Sequence, residues 1–101
     1  MSRKYEFNKK HATAHGNIGK MDLTDVEAQT LLNSGNCFAA KSNALVAVNS
    51  RRKIYAFRMH TPNIYHGYPI SGNEVCSSFP EVQDSVAKCL GVNVKRLSRM
   101  R

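Results

Sequence analysis

Apolar residues in the first third of the chain recur at spacings of three and four, which predicts two helices. The first prediction covers residues 5–15 and ends before Gly16, a typical helix stop. One face of this segment carries Phe7, His11 and either Ala14 or His15. The N-terminal part of the chain is therefore expected to be helical.

The second predicted helix begins with a capping box at Thr24. The Thr24 hydroxyl can accept a hydrogen bond from the Glu27 amide, while the Glu27 carboxylate returns to the Thr24 amide. Leu23 before the cap is expected to contact Ala28 as a hydrophobic staple, and Gly35 stands where a left-handed stop is expected. The apolar face of this helix continues through Val26, Leu31 and Leu32.

From Cys37 to Tyr68 the pattern changes to short β-rich segments separated by polar turns. The turns "NSRR" and "HTPN" are short enough to join neighbouring strands as hairpins, which predicts an antiparallel meander. Alternation along "KIYAFRM" places Tyr55, Phe57 and Met59 on one face and Arg58 on the other. The predicted strands are "CFAAK", "ALVAV", "KIYAFRM" and "NIYHGY".

A third helix is predicted from the capping-box pattern between Ser78 and Glu81, with Pro80 in its first turn. Gly91 ends the apolar pattern, and the basic tail beyond it is expected to be partly ordered. The apolar face of this helix is formed by Val82, Val86, Cys89 and Leu90.

Length and composition indicate one folded domain over residues 1–101, with 42% apolar residues. No apolar run approaches the roughly 20 residues of a membrane span. Three cysteines without CxxC spacing favour neither a disulfide framework nor a zinc knuckle. The sequence leaves a single disulfide between two of them as an alternative.

The net charge of +8 comes from 15 Lys and Arg against 7 Asp and Glu. A field of this sign favours a polyanion such as nucleic acid, an anionic membrane or an acidic protein. Whether the basic residues form one groove depends on the fold. They occur in three blocks, at residues 3–20, 51–58 and 95–101.

The stretch "KKHATAHG" carries His11 and His15 about one helical turn apart, behind Lys10. This spacing occurs in zinc sites, but no Glu follows the first histidine and no further ligands are suggested. Histidines beside cations also suit acid–base cleavage of RNA, because imidazole is available in either protonation state near neutral pH. Ordinary surface histidines remain the third reading.

The second candidate stretch is "NIYHGYPISGNEV", where Tyr65 and His66 stand near the end of a predicted strand. Gly67 and Pro69 then turn the backbone, a place where functional side chains are often held on a rigid sheet. Tyr65 or Tyr68 could stack on a base or donate to a phosphate, although strand tyrosines are often simply packed.

These segments together resemble the C-terminal ribonuclease toxin domains of bacterial polymorphic and contact-dependent inhibition systems, in the barnase, EndoU, colicin and RelE grouping. The resemblance rests on the H-x3-H-G segment, the capped helix "LTDVEAQTLLNSG" and the strand motifs "KIYAF" and "YHGYP". It covers roughly residues 4–75, whereas the third helix and the tail match no pattern of the family.

The resemblance implies an α+β domain in which N-terminal helices pack on a small curved antiparallel β-sheet. The third helix predicted from the residues adds a further C-terminal helix to this expectation. It also implies metal-independent cleavage of RNA, such as tRNA, through a 2′,3′-cyclic phosphate without a cofactor. The expected partners are RNA and an acidic cognate immunity protein. The expected place of action is the cytoplasm of a target cell, after delivery as an effector.

On this hypothesis His15 and His66 form the proton-transfer pair, with His11 as the alternate for His15. Lys10, Arg58 and Tyr65 are then expected to bind the phosphate. The alternatives are a non-catalytic basic nucleic-acid-binding module, and an adaptor whose charge serves to meet an acidic protein.

Overall fold

The computed structural model of the protein describes residues 3–6, 21–41 and 43–101. Their strands form one five-stranded sheet in the order β1-β5-β4-β3-β2. The strands are β1 (Lys4–Tyr5), β2 (Cys37–Lys41), β3 (Ala44–Val48), β4 (Ile54–Thr61) and β5 (Ile64–Ile70).

Strands β2 to β5 form the predicted antiparallel meander, and β1 adds a parallel pairing with β5. The two tight turns follow the sequence signals, with Arg52 and Asn63 in the left-handed region at φ 65° and φ 66°. Tyr5 belongs to β1, so the expectation that a helix begins there is wrong. The amide of Tyr5 is instead bonded to the Gln29 side chain, and residues 7–15 lie outside the described part of the chain.

The helices of the described residues are α1 (Asp25–Leu32), α2 (Gly72–Ser78), α3 (Gln83–Leu90) and α4 (Val94–Leu97), with a 3-10 turn at Pro80–Val82. Helix α1 begins as predicted, because both bonds of the Thr24 capping box are present. It ends earlier than predicted, since Asn33 caps it and Gly35 lies beyond the helix. Val26 is 76% exposed, so it does not belong to the apolar face.

The region after the sheet contains two more helices than the sequence predicted, α2 and α4. Ser78 ends α2 instead of capping α3, and the cap of α2 is Ser71, whose hydroxyl accepts a hydrogen bond from the Glu74 amide. The second capping-box prediction is therefore wrong. Gly91 does end α3 in the left-handed conformation, at φ 72°, as predicted.

Hydrophobic clusters cover both faces of the sheet. One cluster joins α1 to Tyr55 and Phe57, and the other joins α2, α3 and α4 to Val46 and Ala56. The predicted α+β class and the predicted two faces of β4 are confirmed. Among the described helices only α1 precedes the meander, which differs from the expectation that N-terminal helices cover the sheet.

The C-terminal tail is part of the second cluster, because Leu97 of α4 is fully buried. The Asn73 amide donates to the carbonyl of Met100, and the Asn73 side chain donates to that of Ser98 at 2.9 Å. Gly72 lets the two segments approach, since a methyl group there would meet the Leu97 carbonyl oxygen.

Asp22 fastens the segment before α1 to strand β4. Its carboxylate accepts hydrogen bonds from the buried Tyr55 hydroxyl at 2.7 Å and from Lys53 Nζ at 2.9 Å. Burial raises the pKa of Asp22, but the bonds from Lys53 and Tyr55 outweigh this and leave the pKa below its usual value. The charged carboxylate therefore contributes to holding this segment in place.

No helix within the described ranges is long and apolar enough to cross a membrane.

Candidate nucleic-acid interface

Four residues lie side by side across four strands of the sheet. Lys41 on β2 pairs with Ala44 on β3, Ala44 pairs with Arg58 on β4, and Arg58 pairs with His66 on β5. Directly opposed residues of antiparallel strands project to the same face. Lys41 and Arg58 are cations, and His66 supplies an imidazole. We call the line that these three residues form, with Ala44 between Lys41 and Arg58, the cross-strand row.

Phe79 fixes the two cations of the row. The Lys41 ammonium and the Arg58 guanidinium each lie 5.4 Å from the centroid of the Phe79 ring. The ring itself is fully buried and belongs to the same cluster as Ala44. Cations at this distance are attracted by the π-face, so Phe79 holds the two side chains at one part of the surface.

Tyr68 orients the guanidinium of Arg58. Arg58 Nε donates a hydrogen bond of 3.0 Å to the Tyr68 hydroxyl. Because this bond uses Nε, the outer Nη edge of the guanidinium is left to face an anion. That edge provides a forked pair of donors that matches a phosphate.

A backbone carbonyl determines which nitrogen of His66 carries the proton. His66 Nδ1 lies 2.8 Å from the carbonyl oxygen of Glu6, which follows strand β1. A carbonyl only accepts, so Nδ1 is the protonated nitrogen of the neutral ring and Nε2 keeps the lone pair. This is the arrangement that a general base requires.

His60 lies beside His66 at the same end of the sheet. The ring centroids are 4.8 Å apart and the ring planes are inclined by 54°. The irregularity of the β4–β5 ladder between Met59 and Thr61 accompanies this approach. The two imidazoles therefore lie together, and Arg58 starts from the strand position directly opposite His66.

The acidic partners of the described cations lie elsewhere. Glu27 is 3.8 Å from Arg51, and Asp22 is 2.9 Å from Lys53, both near the turn between β3 and β4. Within residues 3–6, 21–41 and 43–101, neither Lys41 nor Arg58 forms an ion pair. The cross-strand row thus keeps its positive charge for a partner.

The structure brings together two of the site residues that the sequence predicted. Arg58 and His66 are adjacent in the cross-strand row, whereas Tyr65 points to the opposite face and is only 8% exposed, in the cluster around Phe57. The other three predicted residues, Lys10, His11 and His15, lie outside the described part of the chain.

Sequence reasoning did not select Lys41 or His60 for the site, and it considered Tyr68 beside Tyr65 but chose Tyr65. Tyr68 carried a usable signal, because it stands two residues after His66 and hence on the same face of β5. The proximity of Lys41 depends on strand register, which no local motif reports.

The basic blocks divide between two ends of the sheet. Arg52, Lys53 and Arg101 line a cleft of about 270 Å³ near the β3–β4 turn, so the second and third blocks meet there. Arg58 belongs to the other end, with the cross-strand row. A larger cleft of about 420 Å³, lined in part by Val26 and Arg51, lies against α1, and neither of the described histidines, His60 and His66, lines it.

Clusters of three His, Cys, Asp or Glu side chains that could hold a metal ion are absent from the ranges described above. Comparisons with protein-family models, with curated proteins and with solved structures found no match to this chain. The chemistry of the site must therefore be argued from its own residues.

Proposed function

We propose that the protein is an endoribonuclease that cleaves RNA by general acid–base catalysis at the end of the sheet where His60, His66 and Arg58 meet. Nε2 of His66 takes the proton of a ribose 2′-hydroxyl, and the 2′-oxygen attacks the adjacent phosphorus. The bond to the 5′-oxygen breaks, and that oxygen receives a proton from the protonated ring of His60. The products are a 2′,3′-cyclic phosphate and a free 5′-hydroxyl.

The observation that carries this proposal is the hydrogen bond from His66 Nδ1 to the Glu6 carbonyl beside the ring of His60. It supplies an oriented base and a second imidazole at 4.8 Å between ring centroids. Arg58, the cross-strand neighbour of His66, is positioned for the negative charge that develops on the phosphorane. No metal enters this mechanism.

The proposal keeps His66 and Arg58 from the sequence prediction and assigns the second proton transfer to His60. The original pairing of His66 with His15, or with His11, stays a competing prediction. Lys10 likewise stays a prediction for phosphate binding. The pairing with His60 and the pairing with His15 or His11 predict different losses of cleavage rate in single variants.

The test is cleavage of total RNA in the presence of EDTA, with end analysis for cyclic phosphate. His66→Ala and His60→Ala should each lower the rate by about 10²–10⁴-fold, the usual contribution of one acid or base. His15→Ala is the matched comparison and should retain activity on our assignment. Arg58→Lys should lose much of the rate, because a point charge does not reproduce the guanidinium fork.

Two outcomes would contradict the proposal. Undiminished cutting by His60→Ala together with loss in His15→Ala would restore the pairing with His15. Absence of cleavage by the wild-type protein on every RNA would remove the enzymatic function.

We propose further that the activity is that of a toxin, delivered to the cytoplasm of a target cell and held in check by an acidic immunity protein. The net charge of +8 supports an acidic partner, because opposite charge accelerates association. Expression of the wild-type chain should then arrest growth, while His66→Ala should be tolerated. Normal growth with abundant wild-type protein would argue against the toxin assignment.

A non-catalytic nucleic-acid-binding module is the second candidate. It is favoured by Lys41 and Arg58 on Phe79, which form no ion pair within the described residues and could bind phosphate without any chemistry. It predicts salt-dependent binding with the nucleic acid recovered intact. The cleavage assay separates the two candidates directly.

A further inference from the structure

We infer that Lys41 forms a second phosphate subsite, so that an RNA strand lies across the sheet strands with its scissile phosphate at Arg58 and its neighbouring phosphate at Lys41. This inference rests on the proposed function for the position of the scissile phosphate. The subsite itself is a binding claim and can be measured without cleavage.

The first support is the direction of the cross-strand row. Neighbouring strands are spaced by about 4.8 Å, so the Lys41 backbone lies about 10 Å from the Arg58 backbone, two strands away, and about 14 Å from the His66 backbone, three strands away. An acid or base must come within about 3 Å of its target atom, directly or through one water. We therefore assign Arg58, the direct neighbour of His66, to the phosphate that His66 attacks, and Lys41, which starts farther along the row, to the next one.

The second support is the way in which Lys41 is held. Its ammonium is 5.4 Å from the centroid of the buried Phe79 ring, and Arg58 is at the same distance from that centroid. Two cations gathered on one ring repel each other unless anions lie between or above them. Ala44 separates them in the sheet and is itself buried, so an anionic strand would contact the two exposed cations and not the sheet between them.

The third support is the absence of a competing carboxylate within the described residues. The ion pairs found there use Arg51 and Lys53, near the opposite end of β4. Lys41 thus lacks an ion-pair partner in this part of the molecule. A polyanion that follows the row would supply one.

The experiment measures binding of single-stranded DNA, which lacks the 2′-hydroxyl nucleophile and cannot be cut by the proposed mechanism. A labelled dT octamer is titrated by fluorescence anisotropy, and the dinucleotide dTdT, with one phosphate, is titrated by NMR. Lys41→Gln should weaken octamer binding about fivefold to tenfold at low salt and lower the salt slope by about 0.7, the value for one phosphate on a single strand. Binding of dTdT should change less than about twofold.

Matched variants separate a subsite from a general loss of charge. Lys88→Gln removes the same charge from the exposed surface of α3 and should change octamer binding less than about twofold. Lys41→Arg should restore octamer binding, because it returns the cation. Thermal unfolding of each variant confirms that the fold is retained.

The outcomes distinguish this inference from the proposed function. Equal effects of Lys41→Gln and Lys88→Gln, or no octamer binding by the wild-type protein, would overturn the subsite whether or not RNA is cleaved. A selective effect of Lys41→Gln without RNA cleavage would support the subsite and remove the nuclease. Loss of binding to an acidic protein, with octamer binding unchanged, would assign Lys41 to protein recognition and overturn the inference.

Discussion

Arg58 and Tyr68 meet diagonally across strands β4 and β5, with 3.0 Å between Arg58 Nε and the Tyr68 hydroxyl oxygen. The bond orients the guanidinium plane without using its outer edge. Tyr68→Phe should therefore leave the charge in place and lower kcat/KM for RNA about threefold to tenfold, the equivalent of one hydrogen bond of about 1 kcal/mol.

The control for this prediction is Tyr65→Phe, on the opposite face of β5, which should leave kcat/KM unchanged. A double-mutant cycle provides the sharper measurement. In an Arg58→Ala background, Tyr68→Phe should have no further effect. Equal losses in both backgrounds would show that Tyr68 acts independently of Arg58.

Stability should depend on pH through Asp22. Its pKa is lowered in the folded protein, so its contribution is complete above the pKa of the unfolded chain, about 3.9 for Asp, and is lost as pH falls through the folded value. Asp22→Asn should cost about 1 kcal/mol of unfolding free energy at pH 7, since the carboxylate is partly exposed. The cost should be smaller at pH 2, because a larger fraction of the carboxyl group is protonated there.

Urea unfolding at the two pH values measures this difference. Lys53→Gln removes one partner of Asp22 and leaves the bond from the Tyr55 hydroxyl, so it should cost less than Asp22→Asn at pH 7. An Asp22→Asn cost that is the same at both pH values would contradict the role of the charged carboxylate.

Gly72 and Gly35 form a matched pair of glycine positions. A methyl group at Gly72 would meet the backbone oxygen of Leu97, whereas Gly35 has no heavy atom within 4 Å of the corresponding position. Gly72→Ala should destabilise the protein by about 1–3 kcal/mol and loosen α4. Gly35→Ala should be neutral or stabilise it by up to about 1 kcal/mol.

Thermal unfolding gives the stability, and hydrogen exchange of the Leu97 region reports on α4. Comparable stability of the two variants would show that the contact between α2 and the C-terminal tail accommodates the added methyl group without a loss of unfolding free energy. Loss of protection at Leu97 in Gly72→Ala alone is the expected result.

Cys37 should resist alkylation in the folded protein. Burial raises the pKa of its thiol to about 11, partly offset by Arg3, so little thiolate forms near neutral pH. Iodoacetamide at pH 7.5 should modify Cys37 only after unfolding, as measured by mass spectrometry of the peptides. Rapid native labelling of Cys37 would contradict its placement between α1 and the sheet.

Local signals in the sequence predicted the parts of the fold that local contacts determine. The Thr24 capping box, the alternation in β4 and the turn before Lys53 each involve residues close in the chain. The sequence also contained an unused signal for α2, because Ser71 and Glu74 have the same spacing as Ser78 and Glu81. A capping pattern alone does not decide between two such positions.

The cross-strand row could be predicted only in part. Alternation placed Arg58 away from the aromatic face, and the strand end drew attention to His66. The alignment of Lys41 with them depends on the registers of three strand pairs and on a shift between Ala39 and Lys41. The contact of Phe79 with both cations depends on tertiary packing, which no residue spacing in the sequence predicts.

Because β1 pairs with β5, the first strand of the chain can join the sheet only after the last strand has been synthesised. Glu6 and His66 are separated by 60 positions, so the carbonyl that orients the imidazole emerges from the ribosome well before its partner. Closing so long a loop follows formation of the local hairpins, because its entropic cost is met only after nearer contacts exist. A nascent chain that stops before β5 thus contains all of β1 but lacks His66, the residue whose imidazole the Glu6 carbonyl orients.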